Sequence, residues 1–111
     1  MRPGDVVVAL LPGARVTKVR PAVVVSTELY HRERPDPIVG ILTTQIPDPL
    51  KATDHLLVNW REASLRAPSC FRLYLITVLR TDVAVIGRLS ERDWAEVQAR
   101  LRCGLAVTSG H

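Results

Sequence analysis

The stretch Lys18-Val19-Arg20-Pro21-Ala22-Val23-Val24-Val25-Ser26 sets three consecutive valines behind a proline. β-Branched side chains suit a pleated sheet, and proline fixes its own backbone and extends that of the residue before it. Ala22–Ser26 is therefore expected to be a short strand, with Arg20 held rigidly where that strand begins. Two runs of the same character flank it, Asp5–Leu11 with Val6, Val7 and Val8, and Ile38–Thr43. All three are too short for helices, and their apolar residues run on without alternation, which indicates burial on both faces. Such strands belong in a closed or strongly curled sheet, so the expected fold class is mainly β, a small barrel.

The second half completes that barrel. His55–Asn59 reads as a weak fourth strand. Cys70–Leu79 alternates visibly, with Phe71, Leu73 and Leu75 on one face and Arg72 and Tyr74 on the other. Val83–Ile86 is either a short sixth strand or the approach to a helix, with Gly87 as the break. The helix itself is well specified: Ser90 as N-cap, Asp93 three residues on in an acidic capping box, and Trp94, Val97, Leu101 and Leu105 at helical spacing. Glu96 and Arg100 form an i,i+4 pair, and Gly104 offers a left-handed stop. The polar, proline-bearing segment Glu28–Pro37 is expected to be an exposed loop or hairpin tip.

The chain has 111 residues, 47% hydrophobic and 23% charged, which suits one domain spanning residues 1–111. Its longest nearly uncharged apolar run, Val6–Pro12, falls far short of the roughly 20 residues of a membrane helix. Pro3, Gly4 and Asp5 interrupt the apolar core a secretory signal would need, so a cytoplasmic protein is expected. Cys70 and Cys103 lie too far apart in sequence for a Cys-x-x-Cys site and read as buried small hydrophobes. His31, His55 and His111 are equally scattered, so neither a metal nor another cofactor is expected. The formal net charge of +4 makes polyanions plausible partners.

Several residues could carry chemistry. Arg20 beside Pro21 is suited to grip a phosphate bidentately, although a solvated arginine fits its composition equally well. Thr43, Thr44 and Gln45 leave the third strand where hydroxyls and an amide could bind a ligand, or merely continue the strand and turn the chain. In Glu28–Pro37, Arg32 and Arg34 could follow a phosphate backbone and Tyr30 or His31 could stack on a base; a solvated loop is the competing description. His31 has no fixed partner in the sequence that would make it a general acid. Trp60 reads as a core anchor beneath a loop. Arg72, on the wet face of its strand, is better placed to line a groove than Arg66 or Arg80.

The order of these pieces resembles the MazF/PemK family of toxins from bacterial toxin–antitoxin modules. Gly4-Asp5-Val6-Val7 resembles the family's opening G-D-[IV] strand, Lys18 through Ser26 its K-x-R-P-x-[VL]-V-[VIL]-S block, and Ile41-Leu42-Thr43-Thr44-Gln45-Ile46 its [IL]-T-[ST]-Q segment. Trp60-Arg61-Glu62-Ala63-Ser64-Leu65 and Pro68-Ser69 are similar to W-x-x-A-G-L and P-S steps, and Ile86-Gly87-Arg88-Leu89-Ser90 to the final G-x-L-S block.

The resemblance implies an SH3-like barrel with a C-terminal α-helix, a homodimer, metal-independent cleavage of single-stranded RNA, and neutralisation by an acidic antitoxin. It assigns Arg20 and Thr43 as the catalytic pair and Lys18, Thr44, Gln45 and Arg72 as RNA-binding residues. The implied reaction is attack of a ribose 2′-hydroxyl on the adjacent phosphate, leaving a 2′,3′-cyclic phosphate and a 5′-hydroxyl. One departure stands out: some PemK-like members carry Arg-x-Asp where this chain has Arg72-Leu73-Tyr74. The alternatives are an RNA- or antitoxin-binding module that has lost catalysis, and a toxin of the same fold that binds gyrase.

Overall fold

Valine-rich β1 (Asp5–Pro12) and β2 (Thr17–Val24) lie side by side, with Val6 opposite Val23 and Leu11 opposite Lys18. The computed structural model describes residues 1–12 and 17–107. Residues 13–16, between the first two strands, and His111 lie outside the described residues. The remaining elements are α1 (Glu28–Glu33), β3 (Ile38–Thr43), β4 (His55–Leu56), β5 (Cys70–Thr77), β6 (Val83–Arg88) and α2 (Glu91–Gly104). The strands form one six-stranded sheet in the order β4-β5-β3-β2-β1-β6, antiparallel at every pairing. The fold is mainly β with a C-terminal helix, as the valine runs and the Ser90 cap foretold. β4 and β6 stand at the two ends of the strand order.

Burial on both faces of the strands comes from two separate apolar layers. On one face Val6, Val23, Leu42 and Phe71 pack with Val97 of α2, joined by Trp60, Trp94 and Leu101 at its margin. On the other, Val7, Ala9, Leu11, Ala22, Val24, Val39 and Val78 form a second cluster that no long helix covers. Period-two alternation sends neighbouring valines to opposite layers, so an unbroken apolar run is the pattern a doubly buried strand requires. Gly40 on β3 makes room for Phe71 of the neighbouring β5: a Cβ there would overlap the Phe71 ring.

α2 is fixed by its first turn. Ser90 Oγ accepts a hydrogen bond from the Asp93 N–H at 3.2 Å, the expected cap. The Asp93 carboxylate does not close the reciprocal half of the box. It is fully buried and accepts instead from Val58 N–H at 2.9 Å, Asn59 N–H at 2.8 Å and His55 Nε2 at 2.9 Å. Burial acts against the charge of Asp93, but these donors outweigh it and hold the carboxyl below its usual range. This one side chain thus ties the helix to the chain that follows β4. Arg100 adds a second tie, donating to the Asp54 carbonyl at 3.0 Å while pairing with Glu96 at 3.1 Å.

Several expectations need correction. Glu28–Pro37 is not all loop: α1 occupies Glu28–Glu33, because the Thr27 hydroxyl caps it by accepting from Tyr30 N–H at 3.1 Å. Its His31 has a fixed partner, the Ser26 hydroxyl at 2.6 Å, and Ser26 Oγ also accepts from Ile38 N–H, so α1 is tied to the start of β3. β2 begins earlier than Ala22, so Arg20 sits inside the strand, opposite Ala9, rather than at its beginning. β4 is two residues long, and β6 runs through Gly87 instead of breaking there. Gly87 is needed for a close approach, since a Cβ would strike the Ala63 carbonyl. Gly104 remains helical, and its lack of a side chain makes room for Leu73. Cys103 is exposed on the last turn of α2, while Cys70 is buried as expected.

Candidate functional site

On the sheet face opposite α2, residues from four strands line a cleft of about 260 Å³: Leu11, Arg20, Ile41, Thr43, Gln45, Arg72, Tyr74 and Ile76. Strand periodicity gathers them. Pairing sets Leu11 against Lys18, Ala9 against Arg20, Ala22 against Ile41 and Val39 against Ile76. Directly paired residues share a face and so do residues two apart, which puts Lys18, Arg20, Ile41, Thr43, Arg72, Tyr74 and Ile76 on one face. Continuing the Ala22–Ile41 register by two residues along each strand brings Arg20 level with Thr43. The candidate pair is thus set by adjacent strands of a packed sheet rather than by loops.

The cleft has an apolar floor and a cationic, hydroxyl-bearing rim. Leu11, Ile41 and Ile76 belong to, or pack against, the second apolar cluster and provide a firm base. Arg20 and Arg72 are exposed and form no ion pair with any described residue. Thr43 ends β3, and its Oγ1 accepts a hydrogen bond from Gln45 N–H at 3.1 Å. A hydroxyl has one proton to donate, and among the described residues no acceptor takes it, so it is free for a ligand oxygen. Two guanidinium groups and a hydroxyl donor around an apolar floor suit an anion attached to less polar groups, as in a phosphodiester with its sugars and bases.

The other candidates divide clearly. Gln45 and Arg72 line the cleft, whereas Thr44 and Lys18 do not; Lys18 shares the face further along β2, and Thr44, exposed, follows the end of β3. His31, Arg32 and Arg80 line a different hollow of about 400 Å³ beside α1. Trp60 packs against the helix-side core, with the Arg61 guanidinium 4.8 Å from its ring centroid. Cys70 is buried and pairs directly with Thr43 across β3 and β5. Burial pushes its thiol up, and the charge of Asp54 adds to this, so it stays protonated rather than nucleophilic. Sequence reasoning missed the floor residues Leu11, Ile41 and Ile76 and did not name Tyr74 among the site residues. Alternation along β5 already put Tyr74 beside Arg72.

Residues 2–105 match the family model described as PemK-like, MazF-like toxin of type II toxin–antitoxin system. The chain belongs to this PemK/MazF-like toxin family. A search of curated proteins finds no match. Membership in a toxin–antitoxin family implies a cognate antitoxin for this PemK/MazF-like chain. Among the described residues, no helix is long and apolar enough to cross a membrane. The six-stranded sheet with its C-terminal helix is consistent with the MazF fold.

Proposed function

We propose that this toxin is an endoribonuclease that cuts single-stranded RNA in the Arg20–Thr43 cleft, using the substrate's own 2′-hydroxyl as nucleophile. The observation that carries the reading is the convergence of Arg20, Thr43 and Arg72 in one cleft, within a family of toxin–antitoxin proteins. The 2′-oxygen attacks the adjacent phosphorus and releases its proton to water. The bond from phosphorus to the 5′-oxygen breaks, and that oxygen takes a proton from water. The products are a 2′,3′-cyclic phosphate and a 5′-hydroxyl.

Arginine keeps its proton at neutral pH, so Arg20 acts by orienting the phosphate and neutralising charge that builds on its non-bridging oxygens. Thr43 donates its free hydroxyl proton to the same group. Gln45 N–H, by occupying a lone pair of that hydroxyl, turns the proton outward. Arg72 holds a neighbouring phosphate or sugar, with Lys18, Thr44 and Gln45 as further RNA contacts. The acidic segment of a cognate antitoxin would compete for the same two arginines. A homodimer is part of this reading, supported by an apolar surface at Leu10 and Val19, paired across β1 and β2 and 42% and 63% exposed.

Arg20→Ala tests the assignment. Removing a pre-organised charge donor typically costs about 10²–10³ in rate, and Arg20 is an exposed side chain whose loss leaves the core intact. The variant is expected to melt as the wild type does while cutting a long single-stranded RNA at least about 100-fold more slowly. Cutting at the wild-type rate would remove Arg20 from the mechanism.

A further inference from the structure

Tyr74 lies where part of the family has an acid, and the structure gives it a setting that no other tyrosine, tryptophan or phenylalanine among the described residues shares. Phe71 is fully buried, Trp60 and Trp94 pack against the core, and Tyr30 meets the His31 ring edge-on at 6.2 Å. Tyr74 alone is largely in the open, 64% exposed, with no hydrogen bond to a described residue. It nevertheless lines the cleft, on the same strand face as Arg72 and next to the apolar floor residue Ile76. A large ring left exposed on a sheet strand, beside cations that suit phosphates, has the form of a stacking platform for single-stranded nucleic acid.

We propose that the Tyr74 ring stacks against a nucleobase of the bound strand and positions it, adding affinity through the ring rather than through the phenolic hydroxyl. This rests on the reading of the cleft as an RNA site. β5 pairs with β3 on both sides of Tyr74, at Leu75 and at Phe71, with a register shift between the two, so the backbone that carries the ring is anchored at each end. Neighbouring Arg72 and Arg20 take the sugar–phosphate chain while the base leaves the apolar floor for the ring face. Stacking accepts any base, so Tyr74 sets affinity and placement, and base identity is left to polar groups at the rim such as the Gln45 amide.

The test uses the full chain and a probe that cannot be cut: a fluorescent 2′-O-methyl oligonucleotide of mixed sequence, beside an abasic phosphodiester chain of equal length. Wild type, Tyr74→Ala and Tyr74→Phe are titrated against both by anisotropy. On the base-bearing probe Tyr74→Ala is expected to bind about five-fold or more weakly. Tyr74→Phe should stay within about two-fold of wild type, and on the abasic chain the three proteins should be alike. Equal binding of the base-bearing probe by Tyr74→Ala and wild type would overturn the proposal. So would a Tyr74→Phe loss as large as that of Tyr74→Ala, which points to the hydroxyl, or an equal loss on the abasic chain, which points to the backbone. Because no cleavage is required, failure here is distinct from failure of the wild type to cut ordinary RNA, which would count against the nuclease reading instead.

Discussion

Two side chains do opposite work with similar chemistry. Asp93 is buried and fully engaged, accepting from two backbone N–H groups and His55, whereas Arg20 is exposed and forms no ion pair with a described residue. Asp93→Ala would strand those donors in the interior, at a cost of about 2–4 kcal/mol in thermal or denaturant unfolding. Because the folded protein holds the Asp93 carboxyl below its usual range, its contribution is complete above the unfolded carboxylate pKa of about 3.9 and is lost as pH falls below that value. The wild type should lose stability in acid more steeply than Asp93→Ala, measured by melting from about pH 5 down to about pH 2; parallel curves would mean that Asp93 is not a source of the acid sensitivity. The sequence announced Asp93 as a capping residue because Ser90 precedes it by three. Its partners at 55, 58 and 59 are more than 30 positions away and carry no local signal.

Among the elements, close approaches explain which small residues sit where. Ser64 has a left-handed backbone, φ 65°, in the turn that follows Trp60, at the place where the W-x-x-A-G-L pattern has glycine. A side chain there costs about 1 kcal/mol, so Ser64→Gly should raise stability by that order. Gly40→Ala should do the reverse, by about 1–3 kcal/mol, because its Cβ meets the buried Phe71 ring of the neighbouring β5. Urea unfolding of the two variants checks both signs, and a destabilised Ser64→Gly would show that the serine side chain does more than tolerate the turn. Strand identity was legible from β-branched runs, and the α2 cap from Ser90. The extent of β2 was not, because Pro21 reads locally as a boundary although pairing to β1 carries the strand back to Thr17. α1 was hidden by its charges and flanking prolines, and it owes its place to the Thr27 cap and the Ser26–His31 contact.

At the scale of the whole molecule, one sheet keeps its structural and its ligand-facing surfaces apart. α2 and the Trp60 turn cover one face, and the other face bears the cleft with Arg20 and Arg72 in a chain of net charge +4. RNA binding should therefore weaken steadily with salt, and Arg20→Ala should flatten the log–log dependence by about 0.7, the share of one phosphate contact on a single strand. An unchanged slope would place Arg20 away from the phosphates. The gathering of Arg20, Thr43 and Arg72 was readable from motif order and strand alternation, whereas the apolar floor beneath them depends on a register that spans four strands. The most direct test of the central claim is to incubate the purified toxin with a defined single-stranded RNA in EDTA and determine the chemistry of the new ends by mass spectrometry. A 2′,3′-cyclic phosphate on one fragment and a 5′-hydroxyl on the other are expected, with no cut where the ribose before the scissile phosphate is replaced by 2′-deoxyribose. Cutting at that 2′-deoxy position, or a 5′-phosphate product, would contradict attack by the substrate's own 2′-hydroxyl.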